Sequence, residues 1–240
     1  MKKYVISDIR IPKKAEEALK SRSFEVIKLP PFKKLDPAVA SHPDMLMFLG
    51  DKILCHKDYY LDNSTLIDNI SHLSGLYIEL SDESIEKDYP NDILFNALPL
   101  GQYVFCKESA ISRLVKDHAS RNGLTVVNTR QGYARCSVCK ISEGAVISSD
   151  ASLLSAIAAK GFDTLCISEG GVRLEPYDHG FIGGASGAFG DKVFFCGKLD
   201  LHPDAEKIKE FCKKHQKNAV SLSDEEMVDV GILFFFSSEE

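Results

Sequence analysis

The sequence predicts an α/β fold, a five-bladed propeller-like ring, and three observations predict it. One phrase recurs five times: an apolar strand ending in Ser or Cys, a polar stretch readable as a helix, and a second apolar strand. Its first strands are centred on Val5-Ile6-Ser7, Ile53-Leu54-Cys55, Val104-Phe105-Cys106, Val146-Ile147-Ser148 and Val193-Phe194-Phe195-Cys196. A spacing of roughly 40 to 50 residues is the mark of stacked or radial supersecondary units. A further short apolar stretch precedes four of these strands, at 44–48, 92–95, 136–140 and 181–184, so the repeat is written β-β-α-β. The first unit has no such stretch before it, and 229–236 supplies it from the other end of the chain. A C-terminal strand completing the first unit closes a ring and leaves no exposed edge at the seam, so 1–240 reads as one domain with pseudo-fivefold symmetry.

Each unit carries its own helix signals, least regularly in the second. In the third, Ile111, Leu114, Val115 and His118 fall at helical spacing within 109–118, and Asn122-Gly123 is a stop before a strand at 124–128. In the fourth, Asp150 is a cap for the Ala- and Leu-rich run 152–160, Gly161 ends it, and a strand follows at 164–167. In the fifth, Pro203 occupies a first helical turn before 205–215 and a strand at 219–222. Aligning the units puts Cys55, Cys106 and Cys196 where Ser7 and Ser148 stand, so these are expected to be small buried residues. Cys166, on a strand, and Cys212, on a helix, are expected in the core as well.

Composition narrows the function classes. Of 240 residues, 44% are hydrophobic and 27% charged, enough for a sizeable core. A net charge of −6 argues against nucleic acid or an anionic membrane surface as the main partner. No apolar run approaches the roughly 20 residues of a membrane span. The start, Met1-Lys2-Lys3 and a short apolar run broken by Asp8 and Arg10, lacks the pattern of a signal peptide. A cytoplasmic protein with its seven cysteines as thiols is expected.

No metal and no cofactor are expected. On a strand, Cys136 and Cys139 would point to opposite faces, and no second pair stands at zinc spacing. The glycines at 180, 183, 184, 187 and 190 lack the Lys-Ser/Thr of a phosphate loop and precede a strand. They read as a tight turn, or as a loop lining a central mouth.

Five β-β-α-β units closed by the last strand resemble the pentein fold of the guanidine-modifying enzymes: arginine and agmatine deiminases, amidinotransferases and dimethylarginine dimethylaminohydrolase. His42-Pro43-Asp44, the segment from Gln131 to Cys136 and the segment from Gly180 to Gly187 look like a branch of that superfamily. In such a ring the leading strands line the axis, so the residues where they begin converge: Asp44, Asp92, Cys136, the stretch 181–183 and Asp229. Clustered carboxylates suit a guanidinium, whose planar donors two carboxylates can grip.

The resemblance implies a cysteine nucleophile, a histidine for proton transfer and carboxylates on the substrate nitrogens. Cys136 fits the first role, with Arg135 beside it to lower its pKa. His42 fits the second, two residues before Asp44 and on its face if the strand extends that far. Asp44 and Asp92 would hold substrate, supported by Asp229 and Asn91. Two departures stand out. The C-terminal segment that carries the nucleophile in catalytic penteins here has no cysteine, and the histidine motif opens the second unit rather than the fourth. The expected function is therefore hydrolysis or transfer at a guanidino or amide-like carbon, or, alternatively, non-catalytic binding of a small cationic ligand or a protein, as in the ribosome anti-association factor. Tyr177-Asp178-His179 is a second choice for the proton carrier. His202-Pro203-Asp204 repeats the first motif at a helix start, where capping explains it.

Overall fold

Strand periodicity and helix caps in the sequence produce the same short grammar five times in the computed structural model, which describes residues 1–238. The first unit is β1 (Lys2–Asp8), α1 (Lys13–Lys20) and β2 (Phe24–Leu29). The second is α2 (Pro43–Leu46), β3 (Met47–Leu49), β4 (Lys52–His56), α3 (Lys57–Ser74) and β5 (Tyr77–Ser81). The third is β6 (Leu98–Leu100), β7 (Tyr103–Cys106), α4 (Arg113–Arg121) and β8 (Thr125–Asn128), and the fourth β9 (Cys139–Ser142), β10 (Ala145–Ser148), α5 (Ala151–Ala158) and β11 (Asp163–Cys166). After the short β12 (Val172–Arg173) comes the fifth: β13 (Ser186–Phe189), β14 (Lys192–Phe195), α6 (Ala205–Lys214) and β15 (Asn218–Ser221). The chain ends with β16 (Met227–Val228) and β17 (Phe234–Ser238).

These strands form five three-stranded sheets and one two-stranded pair, β12 with β16. In every three-stranded sheet the middle strand runs antiparallel to the leading strand and parallel to the one after its helix. β17 is the leading strand of the first sheet, with Val5 opposite Phe235. The C-terminal strand therefore completes the first unit, as the sequence predicts.

Helix starts follow the capping chemistry. Asp150 accepts the Leu153 amide at 2.8 Å and Gly161 turns the chain out of α5 at φ +89°. Ser112 caps α4 through the Leu114 amide, so this helix begins four residues after the predicted 109. The apolar spacing was correctly helical, but the cap decides the start. His56 caps α3 with its Nδ1, which accepts the Asp58 amide at 3.0 Å.

The buried side chains form one cluster that joins the first three units and three more that join neighbouring units. Leu98 and Val138 share a cluster, as do Ile147 and Phe195, and Val5 packs with Phe194. Unit five thus packs on unit one as well as on unit four. A fully buried Phe such as Phe194 contributes about 1.5–3 kcal/mol by leaving water. Ser7, Cys55, Cys106, Ser148 and Cys196 are all completely buried at the equivalent position. Cys212 is also buried, whereas Cys166, at the end of β11, is exposed and does not belong to the core. Among the described residues no helix is long and apolar enough to cross a membrane.

One systematic difference from the sequence reading matters for function. The leading strands begin at 47, 98, 139, 186 and 234, three to six residues after the predicted starts at 44, 92, 136, 181 and 229. The intervening residues form turns. Pro43 starts the single helical turn of α2, Ser137 bonds back to Tyr133, Ala185 bonds back to Phe181, and Gly231 follows Asp229 at φ +62°. Apolar residues packed inside such turns mimic the start of a buried strand, because neither element is distinguished by periodicity over four residues.

Candidate active site

The turns before the leading strands, rather than the strands themselves, carry the polar residues into one place. They enclose a cavity of about 340 Å³ whose lining includes His42, Asp92, Cys136 and Asp229. These come from the turns of four different sheets, so their convergence is a product of the repeat. Tyr89, Tyr133 and Phe181 form an aromatic wall, with ring centres 5.4 Å apart for the first two and 6.1 Å for the second two.

Cys136 lies at the bottom, 3% exposed, in a polar chain. Its Sγ donates to Asp44 Oδ2 at 2.6 Å and accepts from Asn96 Nδ2 at 2.9 Å. Asn96 is completely buried and is fixed by its Oδ1, which accepts the Arg135 amide at 2.8 Å. Burial, together with the charges of Asp44 and Asp229, pushes the Cys136 thiol well above its ordinary pKa. Burial also pushes Asp44 up, to about 6, against the opposing pull of His42 and the thiol bond. The site thus holds a thiol hydrogen-bonded to a carboxyl group whose pKa burial pushes up to about 6.

His42 is 1% exposed, and neither ring nitrogen has a hydrogen-bond partner. Its Nε2 is 3.7 Å from Asp8 Oδ2 and its Nδ1 is 3.8 Å from Asp229 Oδ1. Those carboxylates already have partners. Arg10 grips Asp8 through Nε at 2.9 Å and Nη2 at 2.6 Å, while Asp229 accepts the amides of Phe181 at 2.8 Å and Gly231 at 3.0 Å. A buried polar group without a partner costs about 1–3 kcal/mol, and groups of this kind concentrate where a proton or a ligand is to be taken up. Asp92 accepts from Tyr133 Oη at 2.6 Å, its other oxygen is unpartnered, and burial raises its pKa despite that bond.

The structure therefore brings Cys136, His42, Asp44, Asp92 and Asp229 together, and separates two predicted residues from them. Asn91 is exposed and donates to Glu86 at 3.1 Å, whereas Asp92 beside it is buried. The Arg135 side chain lines a different cavity, where its Nη1 donates to the Val138 carbonyl at 3.3 Å. The expectation that Arg135 depresses the Cys136 pKa is overturned, since burial and two carboxylates drive that thiol upward. His42 and Asp44 share the turn of α2 rather than a strand face. Sequence reading missed Asn96, Tyr133 and Asp8. Only the position of Asn96, four residues after Asp92 in an otherwise apolar stretch, was a usable signal. His179 does reach the cavity lining, with Nδ1 donating to the Gly180 carbonyl at 3.2 Å. Among the described residues no three His, Cys, Asp or Glu side chains are grouped to hold a metal ion.

The fold is similar to the pentein fold of solved guanidine-modifying enzymes. A dimethylarginine dimethylaminohydrolase variant in adduct with S-methyl-L-thiocitrulline superposes with a TM-score of 0.58 at 10% identity, over 93% of each chain. The amidinotransferase SxtG of the saxitoxin pathway of Microseira wollei gives 0.58 at 10% identity, over 92% of this chain and 88% of that one. Agmatine deiminase from C. jejuni gives 0.51 at 10% identity, over 93% and 90%. No curated protein matches the sequence. The chain belongs to DUF6873, a family of unknown function, whose model matches residues 6–234.

Proposed function

We propose that this cavity is a guanidine-modifying site and that the protein is a cysteine-dependent hydrolase or transferase acting on a guanidino or amide-like carbon. The observation that carries the reading is the Asn96–Cys136–Asp44 chain beside an unpartnered His42, on a fold shared with enzymes of that chemistry. The five sheets are taken to be blades of one closed single-domain ring, with the cavity at one end of its axis. Free thiols throughout the chain fit a reducing, cytoplasmic setting.

In this reading a cationic, guanidino-like ligand enters among Asp92, Asp229 and Asp44. Its charge offsets the carboxylates that hold Cys136 as a thiol. Asp44 accepts the Sγ proton, the thiolate attacks the central carbon, and the C–N bond to the departing amine breaks as that nitrogen is protonated. His42, buried between Asp8 and Asp229, is placed to supply that proton and then to deprotonate the water or acceptor amine that releases the product.

One observation favours a second reading. Burial and the carboxylates around Cys136 favour the thiol over the thiolate, which a ring that binds a small cation without turnover would also do. Alkylation by 2-chloroacetamidine separates the two. Selective modification of Cys136, slowed by guanidinium salts and absent in Cys136→Ala, is expected. Labelling confined to the exposed Cys166, with Cys136 untouched, would overturn catalysis and leave binding.

A further inference from the structure

A second cavity, of about 330 Å³, has the opposite character from the first. It runs along the leading strands β9, β13 and β17, and its cations are Arg135, Lys140 and Lys217. In a chain of net charge −6 this concentration of positive charge is not inherited from composition. Its one acidic residue, Glu143, is mostly exposed and is held by Lys140 at 2.6 Å. Lys217 is anchored at the rim, where its Nζ donates to the Gly190 carbonyl at 2.6 Å.

Arg135 is the unusual member. Among the described residues no carboxylate pairs with it, and its guanidinium has a single protein acceptor, the Val138 carbonyl at 3.3 Å. It lies over the Phe234 ring, 5.6 Å from the centroid. A guanidinium offers five donors in a planar fork that matches two oxygens of a phosphate or carboxylate. Burial pulls the Arg135 pKa below its usual value, against the weaker opposing pull of Asp44. The wall beside it contains Ile232 at φ +80°, a conformation that a β-branched residue adopts only under strain, and such strain gathers at ligand sites.

We propose that this cavity is an oxyanion-binding site: a phosphate or carboxylate group sits on the Arg135 fork with Lys140 and Lys217 at its rim, and an apolar body lies against Phe189 and Phe234. The site communicates with the first cavity through two bonds. The Arg135 amide fixes Asn96 at 2.8 Å, and Asn96 donates to Cys136 at 2.9 Å. Anion binding itself does not depend on whether Cys136 is a nucleophile.

Inorganic phosphate and benzoate, titrated separately into the full chain at constant ionic strength against chloride, distinguish the two oxyanion sources by calorimetry. Saturable binding of at least one is expected, with a melting temperature that rises with its concentration. Arg135→Gln should weaken it about tenfold or more, the scale of a lost charge-assisted fork. The double variant Lys140→Ala/Lys217→Ala, at partly exposed positions, should weaken it several-fold and serves if Arg135→Gln does not fold. Cys136→Ala should bind as the wild type does, which keeps this result separate from the test of catalysis. Absence of saturable binding by both probes, or unchanged affinity in the folded variants, overturns the proposal.

Discussion

The tripeptide His-Pro-Asp occurs twice, at 42–44 and 202–204, and its two copies do opposite things. Both precede a helix, and both histidines are packed against a glycine in the left-handed region, Gly231 for His42 and Gly171 for His202. They part at one amide. His202 Nδ1 accepts the Asp204 N–H at 3.0 Å, whereas the Asp44 N–H goes to the Gly231 carbonyl at 3.3 Å and leaves the His42 ring without a partner. The carboxylates diverge as well. Asp204 accepts from Lys207 at 2.5 Å and the Ser168 amide at 2.6 Å, which hold it below the usual carboxylate range. Asp44 is sealed from water against a thiol and titrates at about 6. The same tripeptide therefore takes different partners according to the turns that surround it.

The largest separation between the copies is expected in reactivity. His42→Ala should slow the amidine-directed alkylation of Cys136 by about 10²–10⁴-fold, the range of a lost acid–base group. His202→Ala should leave that rate within about twofold while costing about 1 kcal/mol of stability through the lost bond from the Asp204 amide, read by urea unfolding. Equal effects of the two substitutions on the rate would dissolve the distinction.

The stability profiles should slope in opposite directions. Asp44 binds its proton more tightly folded, at about 6 against an ordinary 3.8, so its contribution is full below pH 4 and is lost as pH rises through 6. That shift corresponds to about 3 kcal/mol, and Asp44→Asn should remove the decline. Asp204 is depressed, so its contribution is present above pH 4 and disappears on acidification. Asp204→Asn should therefore matter at neutral pH and converge with the wild type in acid. Denaturant midpoints from pH 3 to pH 8 measure both, and a flat difference between Asp44→Asn and the wild type would contradict the buried-carboxyl assignment.

The smallest contrast concerns the two glycines. An added Cβ at Gly231 would lie 2.1 Å from His42 Cβ, whereas at Gly171 it would meet the ring edge of His202 at 2.6 Å. Both φ values are positive, at +62° and +72°, so each alanine substitution should cost about 1 kcal/mol in backbone strain. Gly231→Ala should cost more, because a Cβ cannot rotate away, and it should also reduce the Cys136 alkylation rate. A larger loss at Gly171, by thermal unfolding, would mean that His202 rather than His42 is the more rigidly held.

Much of this was legible in the chain. The five aligned strands, the cap at Asp150 and the C-terminal strand that pairs with β1 follow from apolar periodicity and local capping, both short-range properties. Alignment of the units also separated the buried Cys55, Cys106 and Cys196 from Cys136. The turns before the leading strands were not legible, because four apolar residues in a packed turn and in a buried strand look alike. For the same reason Asp92 could not be separated from Asn91, nor the direction of Cys136 from that of Arg135. Arg135 and Cys136, adjacent in one turn, line different cavities, and local sequence carries no period that assigns either direction.

By itself the sequence determined the repeat, the order of its elements and the short set of polar residues placed where units converge, since all of these are written in spacing. Tertiary structure alone decided which of those residues meet and in what protonation state. That Asn96 supports Cys136, that Asp44 rather than an arginine is its neighbour, and that His42 keeps both nitrogens free depend on contacts across 40 to 187 residues of chain. Desolvation and partner choice are properties of the assembled site, and no local pattern encodes them.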